Sequence, residues 1–275
     1  MGRDRIKGAQ IDRANKVMKI YFNNSLRDDL ALPVTGGGWL LGDGAFESLR
    51  TYSGKPFALE RHLDRLEQTL NELKITAPSK AQLIQGVKEI IAANPASPFG
   101  RLRITVFGDG NWMVTHIEYK PEDRFLKLCR SSIKRYSQDL TSGIKTISYQ
   151  ASAVALREAA RGGFDDAIFL NERGEVMESA LANLLYLKDG QWFTPDLNSG
   201  CLPGVIRALL IENFGVIEKP LLGEELESVD GLALTSSVRE IVGVQAFEGH
   251  LYSNSKMINE LTSAFHSWIL GNLEQ

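Results

Sequence analysis

Four places in the chain join an unusual backbone to a group that can do chemistry. Gly42-Asp43-Gly44 leads into a strand ending near Arg50, and Gly143-Ile144 precedes Lys145. Glu178 begins a stretch that closes at Asn183, and Pro203-Gly204-Val205-Ile206-Arg207 opens a helix. Taken singly, each has a plain structural explanation. Arg50 reads as a solvated edge charge, Lys145 as a turn lysine, Glu178 as an outward carboxylate and Gly204 as a turn glycine. Together they suggest a site. A helix beginning at Gly204 offers free N–H groups and the positive end of its dipole, which suits a phosphate. The hydroxyls of Thr235-Ser236-Ser237 could share that anion, and Arg50 could neutralise it. A lysine can hold an aldehyde cofactor covalently. A buried carboxylate facing a pyridine nitrogen keeps that ring protonated and able to accept electrons. Composition alone does not bring these groups together.

The elements that must position them can be read from periodicity and turn residues. VMKIYFN (17–23) is β-branched and aromatic, which predicts a strand. A glycine turn, Gly36-Gly37-Gly38, follows. GDGAFESLRTYSGKPFAL then reads as two strands joined at Ser53-Gly54. Leu59, Leu63, Leu66, Leu70 and Leu73 recur at three and four, the mark of an amphipathic helix. A second helix is expected over 80–93, then strands at 101–107 and 115–120. Pro121-Glu122-Asp123 is a short, polar, Pro-initiated linker. Beyond it come the strand FLKLCRS, KTISY, and an Ala-rich helix over 151–161 ended by Gly162-Gly163. Hairpin pieces turning at Arg173-Gly174 and Asp189-Gly190 follow. A helix over 205–214, strands near 232–247 and a last helix striped by Met257, Ile258, Leu261, Phe265, Trp268 and Ile269 complete the chain. The class is α+β or mixed α/β in two domains: a smaller α/β domain over 1–120, a linker at 121–124 and a larger domain over 125–275. The regular βαβ alternation of a doubly wound sheet is missing.

Whole-chain quantities narrow the partners. Hydrophobic content of 43% and charged content of 24% suit a globular protein that buries a sizeable core. A net charge of −3 with no basic patch argues against nucleic acid and anionic membranes. Two distant cysteines, Cys129 and Cys201, fit a reducing cytoplasm rather than a disulfide framework. The four histidines make no pair at metal-ligand spacing, so no metal is expected. The first sixteen residues are polar and lack a signal-peptide core, and Ile6 breaks the myristoylation pattern begun by Met1-Gly2.

Three blocks resemble the class IV aminotransferase family, the fold-type IV enzymes of pyridoxal 5′-phosphate. They are GDGAFESLRTYSGKPFALERHLDRL, the long run from GIKTISY to LPGVIRALLIE, and LTSSVREIVGV. The resemblance spans roughly 32–247, and its ordered blocks make it far more specific than any single motif. It implies the fold of D-amino-acid aminotransferases, with the cofactor lying between the two domains of a homodimer. It also implies residue roles. Lys145 would carry the cofactor and move the proton at the substrate α-carbon. Glu178 would face the ring nitrogen and Tyr149 the ring hydroxyl. Arg50, the amides of Val205 and Ile206, and the hydroxyls of Ser236 and Ser237 would hold the phosphate.

The substrate would be a small molecule bearing an amino group. Arg101 and Arg103 alternate on one strand and so share a face; with Val238 they are candidates for substrate contact, a solvated strand face being the plain alternative for the arginines. Two positions depart from the family pattern. Leu181 stands in a run usually made of small residues, and Phe107 stands roughly where D-amino-acid aminotransferases carry an arginine. GIKTISY, NSGCLPGVIR and LTSSVRE look most like 4-amino-4-deoxychorismate lyases, which release 4-aminobenzoate and pyruvate for folate synthesis. The alternative is an aminotransferase of branched-chain or D-amino-acid type. Catalytic residues alone do not separate the two reactions.

Overall fold

The computed structural model describes residues 18–28 and 37–273. The polar N-terminal segment, Val17 and Gly36 lie outside the described residues. Two sheets organise the chain. The first holds β1 (Ile20–Phe22), β2 (Ser25–Arg27), β3 (Gly44–Tyr52), β4 (Lys55–Pro56), β5 (Phe99–Phe107) and β6 (Trp112–Glu118), in the order β2-β1-β6-β5-β3-β4. Its helices are α1 (Gly37–Leu41), α2 (Leu59–Glu72) and α3 (Lys80–Ala93). The second holds β7 (Leu126–Arg130), β8 (Asp166–Leu170), β9 (Val176–Ser179), β10 (Asn183–Lys188), β11 (Gln191–Thr194), β12 (Ile217–Glu218), β13 (Gly231–Ser236), β14 (Glu240–Phe247) and β15 (His250–Leu251). Its order is β12-β11-β10-β13-β14-β7-β8-β9, with β15 on β14. Here the helices are α4 (Gln150–Arg161), α5 (Val205–Phe214) and α6 (Ser255–Gly271). The β14–β7 and β7–β8 pairs are parallel, so the class is mixed α/β.

Local sequence accounts for most of these elements. α2 buries Leu63, Leu66 and Leu70 on one stripe, each contributing on the order of 2 kcal/mol. α3 begins at a reciprocal capping box between Ser79 and Gln82. The β3–β4 turn places Ser53 and Gly54 at φ of 48° and 83°, the pair of positive angles a type I′ hairpin needs. One expectation is corrected: Gly37 and Gly38 start the short helix α1 instead of forming a turn. Gly38 is packed so closely on Phe107 and Gly108 that a Cβ would meet the Phe107 Cβ at 2.6 Å.

The apolar cores explain how the two sheets meet. One cluster lies under α2 and α3, with Leu49, Leu66, Ile90 and Ile104. Another mixes both parts of the chain: Tyr52, Phe57 and Ala58 pack with Leu209 of α5 and with Ile258, Phe265 and Ile269 of α6. The segment 119–125 joins the sheets without regular structure of its own.

Candidate active site

The site is assembled along one edge of β3. Its other edge pairs with β5 over the whole strand, from Gly44↔Phe107 to Tyr52↔Phe99. The near edge meets β4 only at Thr51 and Tyr52. Its remaining backbone groups therefore need partners. Phe46 N donates to Lys145 O at 3.0 Å, and Ile147 N donates to Gly44 O at 2.9 Å. Four residues further on, Arg50 N donates to Ser237 O at 3.0 Å. One strand edge thus anchors both the lysine segment and the serine turn.

A cavity of about 620 Å³ opens between these anchors. Lys145, Tyr149, Glu178, Val205, Ile206, Ser236 and Ser237 all line it, as do Arg101, Arg103 and Val238. Arg50 does not. The residue is 3% exposed, and its guanidinium lies near the rings of Phe99 and Tyr119. Its Nε donates to Val238 O at 2.7 Å, and Nη1 is paired with Glu240. The expectation that Arg50 meets a phosphate is therefore corrected: it is committed to the backbone and carboxylate of the turn behind the cavity. Phe107 also lies outside the lining, with its ring 6.5 Å from that of Trp39.

The cation at the helix start is Arg65 of α2, which sequence reasoning left in an amphipathic helix. Arg65 lines the cavity. It donates from Nη1 to Pro203 O at 2.9 Å, one residue before the Gly204 N-cap of α5. It also grips Glu47 through Nε at 2.8 Å and Nη2 at 2.7 Å. A signal existed in the sequence: His62, Arg65 and Thr69 recur at helical spacing beside the leucine stripe. Gly204 has no side chain to cap the first N–H groups of α5. Thr235, at the same cavity, has a buried hydroxyl with no hydrogen-bond partner among the described residues. An orphan hydroxyl, uncapped helix amides and an arginine together fit a phosphate.

Lys145 is partly buried on the cavity wall. Lys145 Nζ lies 4.6 Å from the centroid of the Phe46 ring. Burial, with the Arg65 charge nearby, pushes its ammonium down to about 8, so roughly a tenth is the neutral amine at pH 7, far more than for an ordinary lysine. Burial, then the Glu178 charge, pushes the Tyr149 phenol up to about 12, so it keeps its proton. Glu178 accepts from Arg135 Nη1 at 3.0 Å and from Leu202 N at 3.0 Å. The Arg103 guanidinium carbon lies 3.7 Å from the centroid of the same Phe46 ring, and its Nε donates to Thr105 Oγ1 at 3.3 Å. Burial lowers Arg103 to about 10, which leaves it a cation at neutral pH. Leu181 is 38% exposed on the cavity wall. Among the described residues no group of three or more His, Cys, Asp or Glu could hold a metal, and no helix is long and apolar enough to cross a membrane.

The sequence model of the amino-transferase class IV family matches residues 44–247. The chain belongs to this family, and with it to the pyridoxal-phosphate enzymes of fold type IV. A protein of Methanocaldococcus jannaschii assigned to the branched-chain-amino-acid aminotransferases is 31% identical, over 89% of this chain and 93% of its own. The aminodeoxychorismate lyase of Bacillus subtilis is 29% identical, over 89% of this chain and 91% of its own. The branched-chain aminotransferase of Thermoproteus uzoniensis shares the fold, with a TM-score of 0.87 at 22% identity over 94% of this chain and 96% of its own.

Proposed function

We propose that the protein is an aminotransferase that moves an amino group between an amino acid and a 2-oxo acid. The pyridoxal-phosphate part of this reading rests on Lys145, a partly buried amine with a lowered pKa on a cavity that also holds the phosphate-fitting groups, and amino transfer is favoured by the Methanocaldococcus jannaschii relative, 31% identical. Pyridoxal phosphate, when bound, supplies an aldehyde that captures amino groups and a ring that accepts electrons from the α-carbon. The chain's own groups do the rest. Lys145 holds the cofactor, then takes and returns the proton at the substrate α-carbon. Glu178, whose carboxylate is fixed by Arg135 and Leu202 N, would face the ring nitrogen. Tyr149 keeps its proton and would donate toward the ring hydroxyl. Arg65, the amides of Val205 and Ile206, and the hydroxyls of Thr235, Ser236 and Ser237 hold the phosphate. Arg101 and Arg103 bind the substrate carboxylate, with Val238 lining the same wall.

A lyase acting on aminodeoxychorismate is the second reading. It is favoured by the Bacillus subtilis relative and by the number of cations at the cavity, Arg101, Arg103 and Arg239, since that substrate carries two carboxylates. Quaternary structure and location belong to the same proposal. The exposed apolar run Trp39-Leu40-Leu41 on α1 supports a homodimer, and the free cysteines Cys129 and Cys201 support a cytoplasmic location.

One assay separates the reactions. Protein loaded with pyridoxal phosphate is given L-glutamate, L-leucine or D-alanine with a 2-oxo acid, and separately aminodeoxychorismate. Amino transfer without release of 4-aminobenzoate is expected. Release of 4-aminobenzoate and pyruvate, with no amino donor consumed, would establish the lyase instead.

A further inference from the structure

Glu47 is a carboxylate where an apolar residue would be ordinary. It sits on β3 on the face opposite Phe46 and Ser48, between Ala45 and Leu49 of the core under α2, and is completely buried. A buried charge is retained only when it is fully paired, and a well-packed apolar residue would often serve stability as well. Three donors meet this carboxylate. Arg65 gives Nε and Nη2, and His62 Nδ1 lies 2.7 Å from Oε2. A carboxylate only accepts, so the His62 proton is on Nδ1. Burial acts to raise the Glu47 carboxyl, but the Arg65 and His62 groups beside it hold it well below the usual range.

The count of N–H groups on Arg65 gives this arrangement a purpose. A guanidinium has five. Two go to Glu47 and one to Pro203 O. The two that remain belong to the terminal nitrogens Nη1 and Nη2, on a side chain that lines the cavity beside the start of α5. A free arginine would sample many rotamers. This one is clamped on one side by Glu47 and on another by the backbone of the helix start.

We propose that Glu47, itself oriented by His62, is a positioning residue that aims the two uncommitted N–H groups of Arg65 at the anion end of the cavity. The inference rests on the pyridoxal-phosphate reading of that cavity. Glu47 touches neither cofactor nor substrate; it acts through Arg65 alone.

The test uses two ligands that differ only in the phosphate. Pyridoxal phosphate and pyridoxal are titrated into the cofactor-free protein and followed by visible absorbance. Wild type, Glu47→Gln, Arg65→Ala and the double variant are compared, with thermal midpoints recorded. Glu47→Gln is expected to weaken pyridoxal phosphate about tenfold or more, equivalent to at least about 1.4 kcal/mol, while pyridoxal changes less than about twofold. The double variant should bind pyridoxal phosphate no worse than Arg65→Ala, because Glu47 has no route of its own. If Glu47→Gln does not fold, Glu47→Asp keeps the charge but draws the carboxylate back, and should show the same selective loss. Equal losses for both ligands, or no loss for either, would overturn the inference. Wild-type protein that binds neither ligand would sink the cofactor reading itself, and this inference with it.

Discussion

The partly buried ammonium of Lys145, with the Arg65 charge nearby, gives up hydration and meets a like charge, and both effects favour its neutral form. The consequence for folding has a definite sign. Lys145 titrates at about 8 in the folded chain, against 10.5 for an ordinary lysine. Between those values the unfolded chain holds a proton that the folded chain has lost, so stability rises with pH across that window. Below about 8 the cost of the buried charge is fully present. Replacing the lysine by methionine removes that cost. Cofactor-free Lys145→Met should therefore exceed wild type at pH 7 by on the order of 3 kcal/mol, at about 1.4 kcal/mol per pH unit. The gap should close as pH rises from about 8 toward 10.5, as measured by urea unfolding at several pH values. Equal stability at pH 7 would show that Lys145 is solvated. Residue by residue, the sequence was informative where a block fixed both type and place. Lys145, Glu178 and Ser236-Ser237 all reached the cavity. Arg50 did not, because the partners that hold it, Glu240 and the Val238 carbonyl, lie nearly 190 residues away. Nothing near Arg50 in the chain announces them. Arg65 was hidden for the opposite reason: its helix pattern already explained it.

At the scale of elements, the start of α5 depends on a missing side chain. Gly204 has φ of −67°, so alanine meets no backbone strain there. Space is the obstacle. A Cβ at Gly204 would lie 2.0 Å from Asn183 Oδ1. Asn183 cannot swing away freely, because its Nδ2 donates to Leu202 O at 2.9 Å. Gly204→Ala should thus lower stability by about 1–3 kcal/mol through overpacking and weaken pyridoxal phosphate by displacing the first amides of α5. Denaturant unfolding and a cofactor titration would check both; an alanine variant that matches wild type in each would mean that the helix start tolerates the shift. The helix itself was legible from Pro203-Gly204, as α2 was from its leucines and α4 from its alanines and closing glycines. Sheet order was not. Strand β13 lies between β10 and β14, and β14 beside β7. The β14–β7 pairing joins residues about 120 positions apart, and no local propensity encodes a partner at that distance. The two-residue strands β4, β12 and β15 are too short to leave a period.

For the molecule as a whole, the question is whether the parts on either side of 121–124 behave as separate domains. Composition and the Pro-initiated linker suggest that they do. Packing argues that they unfold together. Tyr52, Phe57 and Ala58 from the first sheet's side share one core with α5 and α6. The Tyr52 hydroxyl also donates to Glu240 Oε1 at 2.7 Å, and His266 Nδ1 of α6 lies 2.9 Å from Glu240 Oε2. Separating the parts would uncover that apolar surface and strand the buried Arg50–Glu240 pair, which is strongly unfavourable. Chains of this length commonly unfold in several steps. Here a single step is expected. Trp112 reports on the first part and Trp192 on the second, both being buried. Variants in which Trp112 or Trp192 is the single tryptophan kept, with Trp39, Trp268 and the other replaced by phenylalanine, should give the same urea midpoint by fluorescence as each other. Saturating pyridoxal phosphate should raise both midpoints equally, because the cavity takes walls from both sheets and a ligand of the folded state stabilises everything that must be intact to bind it. Two separated midpoints, with the cofactor moving only one, would mean that the shared core is not what holds the cavity closed.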